Sequence, residues 1–367
     1  HDDRIDTILE FNANVHAVNA THITSQEPDY AALHPLFGWA PTDVVKQTFK
    51  HTTQYARTPV STQLKRHYKS PFPALNVSRR DEAVATDMIY SDTPAIDDGS
   101  LFAQVFVGTE TQLVDAYGMK SEKQFVNTLE DHIRERGAMS KLISDQAQSE
   151  VSNRVKDILR AYCIADWQSE AMCQWQNFAE CKIQTIKAMV NLIMDRTGSP
   201  PYLWLLCVLY VCFLLNHTAT ESLHWETPLK CATGSTPDIS PLLHFHWKEP
   251  VYYMIDDSPY PSGFKEKRGI FVGIAEHVGH AMTYKVLTDD TQRVIYRSNV
   301  RSALDPKARN LRLDPLRGED VHSFVKSASD NTPEGTKSHL TPVFDPSDLV
   351  GHTFLLDKQE NGERHCA

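Results

Sequence analysis

Three acidic residues of this 367-residue chain stand where they could form a cation site: Asp87, Asp145 and Glu180. Asp87 lies within an alternating apolar segment, Asp145 directly follows the short segment KLIS at 141–144, and Glu180 lies near the start of a long amphipathic segment. Convergent carboxylates repel one another unless cations lie between them, and ligation by oxygen alone suits Mg²⁺ or Mn²⁺. Two such ions about 4 Å apart can activate a hydroxyl nucleophile and stabilise the leaving oxygen in phosphodiester chemistry.

The first of these acids has an alternative. Asp92 follows Asp87 after a short turn signal, but a residue in the middle of a strand is held more rigidly, which favours Asp87. The neighbouring Asp97 and Asp98 are predicted to form a turn rather than to bind metal.

The segments that must position the acids alternate between strand and helix patterns. Apolar residues that alternate or cluster between turn residues predict strands at 83–90, 101–107, 112–117 and 141–144. Apolar residues at three- and four-residue spacing predict helices at 121–136, 151–162 and 177–194. The polar segment 164–178 is predicted to be a loop. This order predicts an α/β protein in which a mixed sheet is flanked by helices.

One apolar run, YLWLLCVLYVCFLL at 202–215, has the hydropathy of a membrane segment. It contains 14 residues, fewer than the roughly 20 needed to cross a bilayer. We therefore expect a helix buried in a protein core, and no membrane partner.

The chain divides into four predicted regions. Residues 1–80 form a polar segment, a short helix that Thr42 or Asp43 could cap, and a basic connector. Residues 81–245 form the core, 246–302 a small β-barrel-like module, and 303–367 a polar linker or tail. Because the chain begins with His1, we expect it to be a piece of a longer polypeptide.

The net charge of −10 hides an uneven distribution. Residues 44–80 contain eight Lys or Arg and no acid, so they could neutralise several phosphates. A solvated basic face is the alternative interpretation. The candidate DNA contacts in this stretch are Lys65, Arg66, Lys69, Arg79 and Arg80.

The seven cysteines contain no CxxC pair, which favours reduced thiols in an intracellular compartment. There is no cysteine before Cys163. A cysteine-ligated zinc module is therefore excluded from the amino-terminal region, and no zinc is expected.

The three acids also lie in recognisable motifs. VATDMIYSDTPAIDD (84–98), LISDQAQSE (142–150) and QWQNFAECKIQTIKAMVNLIM (174–194) resemble, in this order, the acidic motifs of the integrase core of copia-like LTR retrotransposons. Asn216, Thr227-Pro228, Gly234 and Pro237-Asp238 match that family's downstream pattern, and residues 267–301 resemble the β-module that follows the core. The resemblance covers about residues 35–302.

The resemblance implies an RNase H-like core with a mixed five-stranded sheet, a helical amino-terminal segment and a small β-rich carboxyl-terminal module. It implies that Asp87, Asp145 and Glu180 hold two Mg²⁺ or Mn²⁺ ions and join the 3′ ends of the element's DNA to target DNA. The family's spacing to Asp97-Asp98 favours Asp87 over Asp92. Lys182 and Lys187 would contact double-stranded DNA, although solvated helix lysines are the alternative. We further expect a homo-oligomer, release from a polyprotein, and action in the nucleus.

The sequence departs from the family pattern at Phe178, Cys181 and Ala147, and it lacks the cysteines of the usual zinc module. These departures leave two alternatives open. One is a decayed or domesticated DNA-binding fragment without catalysis, and the other is a different RNase H-like nuclease. The 267–301 block, and the absence of a fourth acid near the site, count against the second.

Overall fold

A computed structural model describes residues 28–54, 70–144, 152–168, 178–255, 259–279, 281–305 and 309–313. The α-helices are α1 (Thr42–His51), α2 (Phe125–Arg136), α3 (Asn153–Ala161), α4 (Phe178–Thr197), α5 (Trp204–His217) and α6 (Pro228–Thr233). Short 3-10 helices lie at His34–Phe37, Pro73–Leu75, Glu122–Gln124, Pro201–Leu203, Glu221–Leu223 and Ser240–Leu243. The predictions for residues 1–27 and for nearly all of the tail lie outside the described residues.

Two five-stranded sheets organise the chain. The first contains β1 (Ala83–Tyr90), β2 (Phe102–Gly108), β3 (Val114–Met119), β4 (Lys141–Ser144) and β5 (Ala165–Gln168), in the order β3-β2-β1-β4-β5. The strands β1 to β3 form an antiparallel meander, whereas β4 runs parallel to both β1 and β5. This confirms the predicted mixed five-stranded sheet with flanking helices.

Alternating side chains of β1 enter two different cores. Val84 packs with α2 and α3 on one face of the sheet. Ala85 and Ile89 pack with α4 and α5 on the other face. Since side chains alternate along a strand, Asp87 belongs to the second face, the one that α4 covers.

The prediction of a loop over 164–178 is wrong for residues 165–168, which form β5. Ala165, Asp166 and Trp167 are exposed, because β5 is the last strand at this edge of the sheet. An exposed edge strand does not need the apolar alternation by which the other strands were predicted. Residues 169–177 lie outside the described part of the chain.

The apolar run forms α5, which is buried on nearly every side between the sheet, α4 and the second sheet. With its flanking turns, the span 201–223 is long and apolar enough to cross a membrane, but 78% of its apolar window is buried inside the protein. Burial against protein explains the hydropathy of this helix.

The second sheet contains β6 (Pro250–Met254), β7 (Glu266–Ile274), β8 (Tyr284–Thr288), β9 (Val294–Arg297) and β10 (Val300–Ser302), in the order β10-β6-β7-β8-β9. All its neighbouring strands are antiparallel. In the described part of the chain, the two edge strands β9 and β10 are not paired with each other. These two strands therefore do not close the second sheet into a barrel. The ring of Tyr210 in α5 packs edge-on against Phe271 in β7, with centroids 5.8 Å apart.

The predicted helix near residue 44 is present, but its predicted cap is not. Pro41 occupies the N-cap position, and no side chain caps the helix. The hydroxyl of Thr42 instead lies 2.8 Å from Nε2 of His34. This contact joins the first turn of α1 to the preceding 3-10 helix.

A buried charge cluster joins β3 to α2. Asp115 accepts hydrogen bonds from the guanidinium of Arg136 at 2.6 and 3.0 Å. Nδ1 of His132 lies 3.7 Å from Asp115, and the imidazole stacks on Phe106 with centroids 4.5 Å apart. Neither ring nitrogen of His132 has a hydrogen-bond partner in the described part of the chain. Burial lowers the pKa of His132 to about 4, opposed by the charge of Asp115.

We expect this histidine to make folding sensitive to acid. Between its ordinary value near pH 6.5 and its folded pKa of about 4, the unfolded chain binds a proton that the folded chain does not. The contribution of the neutral His132 to the free energy of unfolding is therefore complete above pH 6.5. It is lost as the pH falls toward 4, by roughly 2–3 kcal/mol. Urea unfolding at neutral and acidic pH should show His132→Phe losing less stability than the wild type. An equal loss in both proteins would contradict this assignment.

Candidate active site

Asp87 lies on the central strand of the first sheet. Its backbone pairs with Val105 of β2, and its side chain is half-buried. One carboxylate oxygen accepts the backbone N–H of Met88 at 2.7 Å. The carboxylate is therefore held against its own strand, on the face that α4 covers.

Glu180 lies in the first turn of α4 and is half-buried. Its neighbours Ala179 and Ile183 are buried in the same core as Ala85 and Ile89 of β1. An acid in the first helical turn also complements the positive end of the helix dipole. The structure thus brings Asp87 and Glu180 to the same side of the sheet, on elements that pack together.

Asp145 lies outside the described residues. The strand before it, β4, ends at Ser144 and runs parallel to β1, with Ile143 opposite Ala85. Among the described residues, no group of three or more His, Cys, Asp or Glu side chains could hold a metal ion. The two described carboxylates have the oxygen donors that Mg²⁺ takes.

The two lysines of α4 lie on different flanks of the helix. At about 100° per residue, Lys187 is roughly 20° around the helix from Glu180, whereas Lys182 is roughly 160° away. Lys182 is half-buried, and burial lowers its pKa. Lys187 is exposed and shares the flank of Glu180, so it is the better placed of the two for a phosphate.

The other predicted DNA contacts fall into two groups. Lys65, Arg66 and Lys69 lie outside the described residues. Arg79 donates to the backbone carbonyl groups of Tyr162 and Cys163, where it satisfies the end of α3. Arg80 is largely buried in an ion pair with Glu82, and burial lowers its pKa. Both arginines therefore have structural roles that do not require DNA.

The acids near the end of β1 also differ from one another. The side chain of Asp98 accepts from the backbone N–H of Ser100 at 2.8 Å and from its hydroxyl at 2.6 Å, as a turn-forming aspartate does. Asp92 is exposed and accepts from the hydroxyl of Thr93 at 3.0 Å. It lies beyond the last residue of β1 and outside the strand that holds Asp87.

The downstream pattern has structural explanations. Asn216 does not cap its helix: its amide accepts from the N–H of Val114 at 2.8 Å and donates to the carbonyl of Val114 at 2.7 Å, at the outer edge of β3. Thr227 caps α6 through the N–H of Lys230. Gly234 ends α6 at φ 72°, in the left-handed region. Asn216 thus joins α5 to the edge strand β3, and Thr227 and Gly234 set the two ends of α6.

A cleft of about 600 Å³ opens between the end of β1 and the second half of α4. Its apolar lining includes Ile89, Val190, Trp204 and Val208, all of which are almost fully buried. Nε1 of Trp204 donates to the carbonyl of Thr93 at 2.8 Å, which fixes the indole against the end of β1.

Polar side chains of α4 form the rim of this cleft: Lys187, Asn191 and Asp195, all exposed. Asn191 and Asp195 were not predicted as site residues from the sequence. Their spacing from Lys187 is four and eight residues, which is the spacing of one helix flank. That regularity was available in the sequence as a signal for a polar row beside Glu180.

No protein-family model matches this sequence, and no curated protein matches it significantly. The chain is similar to a cryo-EM structure of a simian T-cell lymphotropic virus intasome in complex with the PP2A regulatory subunit B56 gamma: 13% identity over 62% of this chain and 83% of that chain, with a TM-score of 0.35. It is also similar to the HTLV-2 integrase catalytic core domain in complex with magnesium (trimeric form): 14% identity over 41% of this chain and 95% of that chain, with a TM-score of 0.34. By its own strand order and directions, the first sheet with its flanking helices fits an RNase H-like core.

Proposed function

We propose that this chain is the integrase of a copia-like LTR retrotransposon, a polynucleotidyl transferase that joins the 3′ ends of element DNA to target DNA. Asp87, Asp145 and Glu180 are the proposed ligands of two Mg²⁺ or Mn²⁺ ions. The proposal includes release from a polyprotein, action in the nucleus, and assembly into a homo-oligomer, because two DNA ends must be joined together.

The observation that carries the proposal is the placement of Asp87 and Glu180. They lie far apart in the sequence, on a strand and on a helix, yet their elements share one core on one face of the sheet. Both acids are half-buried on one side of the sheet, and their carboxylate oxygens are the donors that Mg²⁺ and Mn²⁺ take.

The position of Asp145 in the sequence supports its assignment as the third ligand. Asp87 is two residues beyond Ala85 in β1, and Asp145 is two residues beyond Ile143, the partner of Ala85 in β4. The proposal therefore draws its acids from β1, from α4 and from the residue that follows β4 in the sequence.

In this arrangement each group has a distinct task. Bound divalent ions would supply Lewis-acid activation of the attacking hydroxyl and charge stabilisation at the phosphate. Asp87 on its strand and Glu180 on its helix would hold those ions rigidly. Lys187, seven residues after Glu180 on the same helix flank, would contact a neighbouring phosphate of the DNA.

The test is a strand-transfer assay in which the purified chain joins a labelled duplex to a plasmid. We expect products with Mg²⁺ or Mn²⁺ and none with EDTA. Asp145→Asn should lose the products while keeping its affinity for the duplex. Asp157→Asn is a matched control, because Asp157 is an exposed acid of α3 paired with Arg160 at 2.9 Å. Normal joining by Asp145→Asn would refute the site, and DNA binding without joining by the wild type would favour a non-catalytic element fragment.

A further inference from the structure

The cleft beside α4 is lined by residues of β1 and α4, the two elements that carry the described carboxylates of the proposed site. Along β1, Ile89 in the cleft lies two residues beyond Asp87 and on the same face, a distance of about 7 Å. Along α4, Lys187 on the rim lies seven residues beyond Glu180 and on the same flank, a distance of about 10 Å. Both β1 and α4 thus run from the carboxylates to the cleft. The distance along each element is about the length of one to two nucleotides.

The cleft has the chemistry of a base-binding pocket. Its floor is apolar and includes the almost fully buried Trp204, and an apolar floor suits the flat face of a heterocycle. Its rim carries Asn191 and Asp195 of α4, one helical turn apart and exposed, with the exposed Asp92 on the side of β1. An amide both donates and accepts hydrogen bonds, whereas an ionised carboxylate only accepts them. The floor and the rim therefore match the face and the edge of a nucleobase respectively.

We propose that this cleft binds one unpaired nucleobase of the DNA, next to the phosphodiester on which the carboxylates act. The inference rests on the proposed integrase function. Lys187 then contacts the phosphate of that nucleotide, and Asn191 and Asp195 contact the edge of its base. Since a base reaches the cleft only when it leaves the duplex stack, the cleft selects DNA ends that are frayed or carry an unpaired nucleotide.

The carboxylate of Asp195 sets an order of preference among the bases. The pairing edge of guanine presents two adjacent N–H donors, and those of adenine and cytosine present an amino group. Thymine presents one N–H between two carbonyl groups, which repel a carboxylate. Guanine is therefore bound best in the cleft, and thymine worst.

The test measures the affinity of the full chain for fluorescein-labelled duplexes by fluorescence anisotropy, in EDTA so that no chemistry occurs. The duplexes end in one unpaired guanine, one unpaired thymine or one abasic nucleotide, in separate 3′ and 5′ series. We expect the guanine duplex to bind about tenfold more tightly than the abasic duplex in one of the series, with thymine close to abasic.

Two substitutions at one exposed position probe the cleft. Asn191→Ala removes the amide, and Asn191→Trp fills the cleft; both should reduce the guanine preference to below about threefold. The matched controls are Asn127→Ala and Asn127→Trp, because Asn127 is an exposed asparagine of α2 on the opposite face of the sheet. The controls should keep the preference.

The outcomes separate this inference from the proposed function. If the wild type binds all three duplexes equally in both series while Asp145→Asn abolishes joining, the base pocket is refuted and the carboxylate site stands. If the guanine preference depends on Asn191 but Asp145→Asn still joins DNA, the pocket stands and the catalytic assignment fails. A chain that binds none of the duplexes refutes both.

Discussion

Asp87→Asn should lower strand transfer by about a thousandfold or more, whereas Asp92→Asn should change it by less than about tenfold. Asp87 is held within the central strand by pairing with Val105, on the face that also receives α4. Asp92 lies beyond the end of that strand and is exposed. An asparagine has the shape of an aspartate but lacks the charge that attracts a divalent cation. Strand-transfer activity should therefore be lost where the replaced aspartate is a metal ligand.

The measurement is the initial rate of joining at saturating Mg²⁺, together with duplex affinity. Both variants should bind DNA like the wild type, because neither substitution removes a basic residue. A larger loss for Asp92→Asn than for Asp87→Asn would reverse the assignment of the first ligand. Equal small losses of activity in the two variants would exclude both acids as metal ligands.

Asp115→Ala should lower the free energy of unfolding by about 3–5 kcal/mol. Asp115 is almost fully buried and accepts hydrogen bonds from the guanidinium of Arg136 at 2.6, 3.0 and 3.1 Å. Arg80 is also close enough for its charge to interact with Asp115. Removing the acid leaves the guanidinium of Arg136 with the more distant and partly exposed carboxylate of Glu276, at 3.6 Å. Most of the compensation for a buried charge is then lost, which costs more than the original pair contributed. Urea denaturation at neutral pH measures the change.

Asp131→Ala is the matched control, on the helix α2 that also carries Arg136. Asp131 is paired with Arg134 at 2.8 Å, but 42% of its side chain is exposed, so the loss should stay below about 1 kcal/mol. The double variant Asp115→Val with Arg136→Met should recover part of the stability, because it removes both charges together. A loss for Asp115→Ala as small as that of the control would show that the cluster is solvated in solution.

The parts of the fold that the sequence predicted well are those with a regular apolar period. The helix that contains Glu180 buries one face, and burial of one face produces an apolar spacing of three to four residues in the sequence. The strand at 83–90 packs against a core on each face and stands out as a short, mostly apolar segment. The strand at 165–168 has no such period, because an edge strand can be stabilised by backbone pairing alone. Its partner β4 lies more than twenty residues earlier in the sequence, and no local pattern encodes that pairing.

The candidate site shows the same division. Local motifs marked Asp87 and Glu180 as candidate ligands, and in the structure strand alternation assigns Asp87 to the face of the sheet that α4 covers. The sequence did not separate Lys182 from Lys187, since both stand outside the apolar stripe and their surroundings depend on how α4 packs. Nor did the sequence show that Arg80 pairs with the buried Glu82, because two charged residues this close in a sequence are usually interpreted as solvent-exposed.

The paired hydrogen bonds between Asn216 and Val114 also have a consequence for solubility. The outer edge of β3 would otherwise offer a free N–H and C=O at Val114, and a foreign strand could add there. The amide of Asn216 imitates one residue of such a strand and occupies both groups at 2.7 and 2.8 Å. The Asn216 side chain thus blocks edge-to-edge pairing of the sheet with another strand. Asn216→Ala should therefore promote self-association of the chain before it alters the proposed chemistry.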